Sequence, residues 1–193
     1  MYEPKNYDHL IGTKGFGDTL LKNHFTLYQG YVKNTNALIE AFADLEKNDK
    51  AATPAYAELK RRFPWEFNGM RLHELYFGNM ASAGGALDSA SGLYKKIVAC
   101  YGSFETWEKN FKAVGGMRGI GWTILYEDAL SGNLFNIWVN EHDFGHLANA
   151  KPLLVLDVFE HAYVLDYGLK RPDYIEAFFK AIDWDTILGR YGT

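Results

Sequence analysis

The segment LVLDVFEHAY, at positions 154–163, places a carboxylate and an imidazole four residues apart just after an apolar run. The run, residues 153–156, predicts a buried β-strand that ends beside Asp157. His161 then lies on the first turn after the strand, so the two side chains can converge on a single cation. This segment therefore predicts one part of a metal site, and the rest must come from elsewhere in the chain.

The composition restricts the class of protein. The chain has 193 residues, 48% of them hydrophobic, which is enough to bury one large core or two small ones. Its net charge of −4 argues against a nucleic-acid binder with a basic face. Cys100 is the only cysteine, which excludes an internal disulfide and a thiolate cluster. Any metal ligands are therefore expected among His, Asp and Glu.

The same sequence argues against a membrane protein. No apolar run approaches the roughly 20 residues that a helix needs to span a bilayer. Residues 1–5 do not begin a signal peptide. We therefore expect a cytoplasmic protein that binds neither membrane nor nucleic acid.

The first part of the chain reads as helical. Apolar residues recur at three- and four-residue steps over residues 18–45, which predicts a long helix with Asp18 as its N-cap. A second helix is predicted over residues 53–80, with Pro64 interrupting or bending it. Together the two helices would form a hairpin.

A small, glycine-containing segment, residues 81–86, marks the expected domain boundary and divides the chain into residues 1–86 and 87–193. The second part mixes helical patterns with aromatic and β-branched runs that predict a small sheet. Its predicted elements are helices at 90–101 and 104–114, strands at 122–126, 134–139 and 153–156, a helix after Asp173 and a last helix around Trp184.

Two further histidines lie on the predicted helices. His24 precedes Tyr31 by seven residues, so both project from roughly the same helix face, two turns apart. His73 lies on the second helix among apolar and aromatic neighbours. One histidine from each helix could complete the metal site across a domain interface. For either histidine taken alone, a hydrogen-bonded core residue is the favoured interpretation.

Several stretches together resemble the iron/manganese superoxide dismutase family. DVFEHAY at 157–163, followed by Asp166, Tyr167 and RPDY at 171–174, closely resembles the family's C-terminal signature. The likeness extends to three further stretches. GYV at 30–32 with Asn34 and Asn36 resembles the first-helix motif, FN at 67–68 with His73 and YF at 76–77 resembles the second-helix motif, and GIGW at 119–122 resembles the turn into the sheet. The resemblance covers nearly the whole chain. It implies an α+β fold, in which an N-terminal long helical hairpin precedes a C-terminal mixed domain with a three-stranded antiparallel sheet and surrounding helices.

The resemblance implies a superoxide dismutase that converts superoxide to oxygen and hydrogen peroxide with one iron or manganese ion per subunit. The implied ligands are His24, His73, Asp157 and His161. Counted back from Tyr31 without a gap, the family's first ligand falls on Asn23, and one residue rotates a helical side chain by about 100°. We expect His24 to be the ligand, because it is the only histidine nearby.

Other family positions imply roles beside the ion. Tyr31 matches the gateway tyrosine that helps to relay protons. His142 takes the place of the group that hydrogen-bonds this tyrosine and the solvent bound to the metal. Gly69 occupies the alternative position for that group and has no side chain to fill the role. Trp122 matches a residue of the aromatic cage that keeps the site dry.

Three positions depart from the pattern of many family members. Phe77 and Phe159 stand in the aromatic cage where many members carry tryptophan, and Leu27 stands where many carry a channel histidine. Arg171 matches a cation that would attract the anionic substrate; a surface arginine that caps a nearby turn is the alternative. His9 and His146 match no family ligand, and we expect them at the surface or in loops.

Glu160 and Tyr163 match the family's subunit interface. There the glutamate pairs with the ligand histidine of the other subunit, which implies a homodimer, with a tetramer as the larger alternative. An ion pair within the chain is the other interpretation of Glu160. Two other functions stay open, namely another mononuclear iron or manganese enzyme and a non-catalytic, metal-binding relative of the dismutases. The ligands do not decide between iron and manganese.

Overall fold

Two long helices form the first half of the molecule. The computed structural model describes residues 1–192, with helix α1 over Asp18–Lys47 and helix α2 over Pro54–Gly78. They pack against each other as a hairpin, preceded by a short 3-10 helix at Asp8–Leu10. The buried residues of α1 recur at the predicted helical steps and are Leu20, Leu21, His24, Phe25, Tyr28, Val32, Thr35 and Phe42.

One local prediction about the hairpin was wrong. Asp18 is not the N-cap: Gly17 holds that position, and the Asp18 carboxylate accepts the backbone N–H of Gly12 at 3.0 Å instead. Helix α2 runs through Pro64 without interruption, so of the two effects expected of this proline the bend stays a prediction. Its start follows the expected chemistry, since the Thr53 side chain accepts the N–H of Tyr56 and Pro54 takes the first helical position.

The second half of the molecule is an antiparallel sheet surrounded by shorter helices. The strands are β1 at Gly121–Asp128, β2 at Leu134–Asn140 and β3 at Ala150–Asp157, in the order β2-β1-β3. Before the sheet lie α3 at Gly92–Tyr101 and α4 at Phe104–Gly115. After it come a 3-10 turn at Glu160–Ala162 and helices α5 at Val164–Tyr167, α6 at Arg171–Lys180 and α7 at Trp184–Tyr191. This arrangement confirms the expected fold class.

The register of the sheet places an aromatic residue beside the metal-site segment. Trp122 of β1 is paired with Asp157, the last residue of β3. Farther along, Leu125 pairs with Leu154 but Tyr126 pairs with Pro152, so Leu153 is an extra residue in β3. Proline lacks an N–H and is tolerated at such bulges.

Polar contacts join the end of α2 to the sheet. The Asn79 side chain donates to the carbonyl of Val155 at 2.5 Å. The Arg190 guanidinium donates to the carbonyls of Leu153 at 2.8 Å and Leu75 at 3.1 Å. These bonds hold α2 against β3 and so fix His73 relative to Asp157.

The division of the chain into residues 1–86 and 87–193 stays a prediction. Within residues 1–192, no helix is both long and apolar enough to cross a bilayer.

Candidate metal centre

Four side chains from both halves of the chain converge where α1, α2 and the end of β3 meet. They are the four predicted ligands, and their potential ligand atoms all lie within 4.8 Å of one another. Three of the side chains are buried and His161 is partly exposed. We call His24, His73, Asp157 and His161 the ligand cluster.

The cluster is arranged around one oxygen of Asp157. Its Oδ2 lies 3.2 Å from Nε2 of His24, 3.1 Å from Nε2 of His161 and 3.6 Å from Nε2 of His73. The other oxygen, Oδ1, accepts the backbone N–H of Phe159 at 2.8 Å. The carboxylate is thus oriented by the chain on one side and faces three imidazoles on the other.

The protonation state of His73 suits a metal ligand. Its Nδ1–H donates to the carbonyl of Gly69 at 2.5 Å, which leaves the lone pair of the neutral ring on Nε2. Burial, reinforced by the imidazole of His24, lowers the pKa of His73 well below its usual range, so the ring is neutral. Among residues 1–192, this Nε2 has no hydrogen-bond partner although it is buried and faces Asp157.

Asp157 is ionised, and its carboxylate completes the set of groups that could bind a metal ion. Burial alone would raise the pKa of its carboxyl, but the His161 and His24 imidazoles hold the pKa far below its usual value. A buried carboxylate and a buried imidazole lone pair that face each other repel unless a cation lies between them. Neutral imidazole and carboxylate form a shell that iron and manganese accept, so the residues present fit either ion.

Of the two adjacent candidates on α1, Asn23 and His24, the structure brings only His24 to the cluster. This residue is 2% exposed and lies in the cluster, whereas Asn23 is exposed at the surface. Helix α1 is α-helical throughout, so no local irregularity is needed to bring His24 inward. That His24 binds the metal stays a prediction.

A hydrogen-bonded chain lies beside the cluster. Trp122 Nε1–H donates to Nδ1 of His142 at 3.1 Å, and Nε2 of His142 lies 2.8 Å from the hydroxyl of Tyr31. Because an indole N–H can only donate, the proton of neutral His142 resides on Nε2 and points at the Tyr31 oxygen. We call Trp122, His142 and Tyr31 the proton network.

Burial sets the charge of this network. It lowers the pKa of His142 to about 4, so the ring is neutral at neutral pH. It also raises the pKa of Tyr31 above its usual range, and the negative charges of Asp157 and Glu66 act in the same direction. The Tyr31 phenol therefore retains its proton while it accepts one hydrogen bond from His142.

Gly69 makes room for Tyr31. A Cβ added at this glycine would lie 2.5 Å from Cδ1 and 2.7 Å from Cε1 of the Tyr31 ring. The ring also stacks on His73, with centroids 5.2 Å apart. Tyr31 thus fills the space at position 69, and His142 reaches its hydroxyl from the other side.

Comparison with known proteins identifies the relatives of this chain. Residues 89–190 match the family described as iron/manganese superoxide dismutases, C-terminal domain. A manganese superoxide dismutase of Haloferax volcanii is 39% identical over 170 residues, 88% of this chain and 83% of the relative. The iron superoxide dismutase of Aquifex pyrophilus is 37% identical over a match 194 positions long, which covers 98% of this chain and 90% of the relative. The chain belongs to the iron/manganese superoxide dismutase family.

A third relative gives the same result. The iron superoxide dismutase of Cupriavidus metallidurans is 37% identical over 184 residues, 92% of this chain and 89% of the relative. The first of these relatives is named as a manganese enzyme and the other two as iron enzymes. Membership in the iron/manganese superoxide dismutase family therefore agrees with the donor set but leaves the choice of ion open.

Aromatic rings enclose the centre of this superoxide dismutase family member. Phe159 stacks on His142 and His161, with centroids 4.7 Å and 5.2 Å apart. Phe77 is fully buried and meets His24 edge to face at 4.9 Å. Trp122 meets His73 in the same manner at 5.0 Å. The three predicted cage residues thus all contact the cluster, whereas Leu27 is exposed.

Trp65 was missed by the sequence analysis. Its ring meets His142 edge to face, with centroids 4.9 Å apart. Trp65, Gly69 and His73 are spaced by four residues on α2 and share one face of the helix. That spacing is the signal that could have identified it.

The predicted interface and steering residues lie beside the cluster but differ in exposure: Glu160 is exposed, Arg171 is partly exposed and Tyr163 is buried. Glu160 is exposed, and within residues 1–192 it forms no ion pair, so the alternative of an intrachain salt bridge finds no support. Arg171 donates to the hydroxyl of Tyr163 at 3.1 Å and to the carbonyls of Met117 and Gly119 at 2.7 Å and 2.9 Å. These bonds agree with the capping role considered for this arginine.

Proposed function

We propose that this chain is a superoxide dismutase that holds one iron or manganese ion between His24, His73, Asp157 and His161. The observation that carries the proposal is the convergence of three imidazole nitrogens on one carboxylate oxygen, in a chain of this family. The bound ion supplies one-electron exchange between its divalent and trivalent states, by which one superoxide becomes oxygen and another becomes hydrogen peroxide.

The ligand cluster sets the charge available for this exchange. Three neutral imidazoles and one carboxylate contribute a single negative charge, so the shell leaves a net positive charge in either oxidation state. A superoxide anion is attracted in both half-reactions. Arg171, which is partly exposed, would add to this attraction at the surface.

The proton network serves the half-reaction that forms hydrogen peroxide, which consumes two protons. Tyr31 keeps its hydroxyl proton because burial raises its pKa, and it accepts the Nε2–H of His142 at 2.8 Å. We assign Tyr31 to proton donation and His142 to holding that hydroxyl in place. The Trp122, Phe77 and Phe159 rings restrict water around the cluster.

The test is superoxide consumption by the full chain loaded with iron, loaded with manganese or left without metal. We expect superoxide to disappear and hydrogen peroxide to form with at least one of the two ions, and not without metal. If neither loaded form exceeds the metal-free protein, the enzyme proposal is wrong. Metal binding without turnover would then favour a non-catalytic relative.

We further infer that the chain forms a homodimer through the surface around Glu160. The exposed apolar residues near this surface are Met117, Ile120, Val164, Leu165 and Leu169. Glu160 lies next to the ligand His161 and lacks a partner of its own in the described part of the chain. In a self-complementary contact it would reach the imidazole of the second copy.

Sedimentation equilibrium tests the dimer. We expect Glu160→Gln to shift the population toward monomer, while Glu40→Gln, which removes another exposed carboxylate, on α1, leaves it unchanged. A wild-type chain that is monomeric at micromolar concentration would contradict the inference. The cytoplasmic location stays a prediction that cell fractionation would test.

A further inference from the structure

His142 is carried by a loop with little regular structure. The loop, residues 141–149, connects β2 to β3 and has positive φ angles at Glu141, Gly145 and Asn149. Near His142 its backbone is held by a short bridge between Asn140 and Phe144 and by the Glu141 N–H bond to the Ile120 carbonyl at 3.1 Å; at the far end the Asn149 carbonyl accepts the Ala129 N–H at 3.1 Å. Yet the His142 side chain is fully buried. Its position therefore depends on the further contacts of this loop.

A second histidine of the same loop is hydrogen-bonded at both ring nitrogens. Nε2 of His146 lies 2.8 Å from the backbone carbonyl oxygen of His142, and its Nδ1 lies 2.7 Å from the hydroxyl of Tyr126. A carbonyl can only accept, so Nε2–H donates and Nδ1 accepts the Tyr126 hydroxyl proton. The amide of Asn68 lies 3.4 Å from the same Nε2, too far to displace this arrangement.

Two residues of strand β1 hold His142, one at its ring and the other, indirectly, at its backbone. Trp122 binds its ring directly, and Tyr126 binds its backbone through His146. Tyr126 is 3% exposed, and burial raises its pKa to about 12, so its hydroxyl remains a donor at neutral pH. Both anchors therefore come from buried residues of a paired strand, whereas the residue they hold lies in a loop.

We propose that His146 is a positioning residue that ties the His142 backbone to Tyr126 and thereby fixes where the His142 Nε2–H points. The effect on turnover rests on the proposed function, because it acts through the contact of His142 with Tyr31. The effect on the position of His142 does not depend on activity. The two effects are tested separately.

The first test reads the position of His142 through the Trp122 indole. In the full chain loaded with zinc, a diamagnetic ion that accepts imidazole and carboxylate ligands, the indole N–H resonances are compared between wild type, His146→Leu and Tyr126→Phe. We expect the Trp122 resonance to shift and to exchange faster with solvent in both variants. The Trp107 indole, which donates to Asn136 at 3.0 Å outside the site, is the internal control.

Three outcomes decide this test. A change at Trp122 with Trp107 unaltered supports the proposal. No change at Trp122 in either variant overturns it, and so does an equal change at both indoles, which would indicate general loosening. If His146→Leu does not fold, Tyr126→Phe still gives the answer, because it removes one hydroxyl and leaves the histidine in place.

The second test is a double-mutant cycle in superoxide turnover at equal metal content. We expect His146→Leu to lower turnover by about tenfold, the lower end of what loss of an outer hydrogen bond costs. In a His142→Ala background the same substitution should have little further effect, because the two residues act in series. An equal loss in both backgrounds would contradict the proposal. A wild type without turnover would contradict the proposed function alone.

His9 supplies the control for this cycle. It is an exposed histidine in the short 3-10 helix at Asp8–Leu10, outside the centre. His9→Leu makes the same chemical change as His146→Leu, and we expect it to leave both turnover and the Trp122 resonance unchanged.

Discussion

The ligand cluster and the proton network lie side by side but differ in how their polar atoms are satisfied. In the network both ring nitrogens of His142 are paired: Trp122 donates to one, and the other donates to Tyr31. In the cluster three imidazole nitrogens crowd one carboxylate oxygen, and the buried Nε2 of His73 has no partner among residues 1–192. A cluster of that kind favours a bound cation, whereas His142 in the network already has a protein partner at each ring nitrogen.

The comparison predicts that substitutions in the two regions have separable effects, the largest of them in the cluster. Asp157→Asn removes the single negative charge that faces the three imidazoles. We expect metal affinity to fall by more than about 100-fold, because loss of a group one step farther from the ion already costs about 10–100-fold. Metal content after dialysis measures this, and Glu40→Gln is the charge-matched control. Full metal content in Asp157→Asn would contradict the role of the cluster.

A smaller effect is expected for the network. His142→Leu removes the donor to Tyr31 and the acceptor for Trp122 but no proposed ligand. We predict that metal content stays near wild type while turnover falls by about 10–100-fold. His9→Leu should change neither quantity. Metal loss as severe as that of Asp157→Asn would show that the two regions are not separable.

Gly69 and Gly30 give a matched pair on the two helices. A Cβ at Gly69 would meet the Tyr31 ring at 2.5 Å, whereas one at Gly30 meets nothing within 4 Å. Gly69→Ala is expected to destabilise the protein by about 1–3 kcal/mol through overpacking. Gly30→Ala should stabilise it by about 1 kcal/mol, the difference in helix propensity. Urea unfolding measures both, and equal effects would contradict the packing of Tyr31 on position 69.

The smallest effect is expected in the aromatic cage. Phe159→Leu removes ring contacts with His142 and His161 that are each worth about 0.5–1.5 kcal/mol. We expect metal content to be kept and turnover to fall by no more than about tenfold. Phe104→Leu, which removes a ring stacked on Tyr94 away from the centre, should lower stability without changing turnover. A turnover loss in Phe104→Leu would show that stability alone explains the effect.

Much of the fold could be predicted from the sequence, because the helices carry a clear helical period. The strands were shorter in prediction than in the structure for a physical reason. Strand β3 begins at Ala150, but Lys151 and Pro152 do not resemble strand residues, and Pro152 is accommodated only by the bulge at Leu153. The N-cap was misplaced because the Asp18 carboxylate has a competing partner in Gly12, a tertiary contact that no local pattern reveals.

The site was predictable to the extent that its residues lie in recognisable motifs. The segment ending in Asp157 and His161 predicted one part of the cluster, and resemblance supplied the rest. Trp65 was missed because an aromatic residue on a helix is ordinarily core. His146 was expected at the surface or in a loop; it does lie in a loop, but half-buried, and its bonds to Tyr126 and His142 depend on how that loop folds back.

The central claim is that a single ion is held by both halves of the chain, with His24 as the ligand from α1. Metal stoichiometry of His24→Ala against Asn23→Ala tests it most directly, because the two residues are adjacent and only one faces the cluster. We predict one iron or manganese ion per chain in wild type and Asn23→Ala, and loss of the ion in His24→Ala. Loss of the ion in Asn23→Ala with retention in His24→Ala would contradict the account.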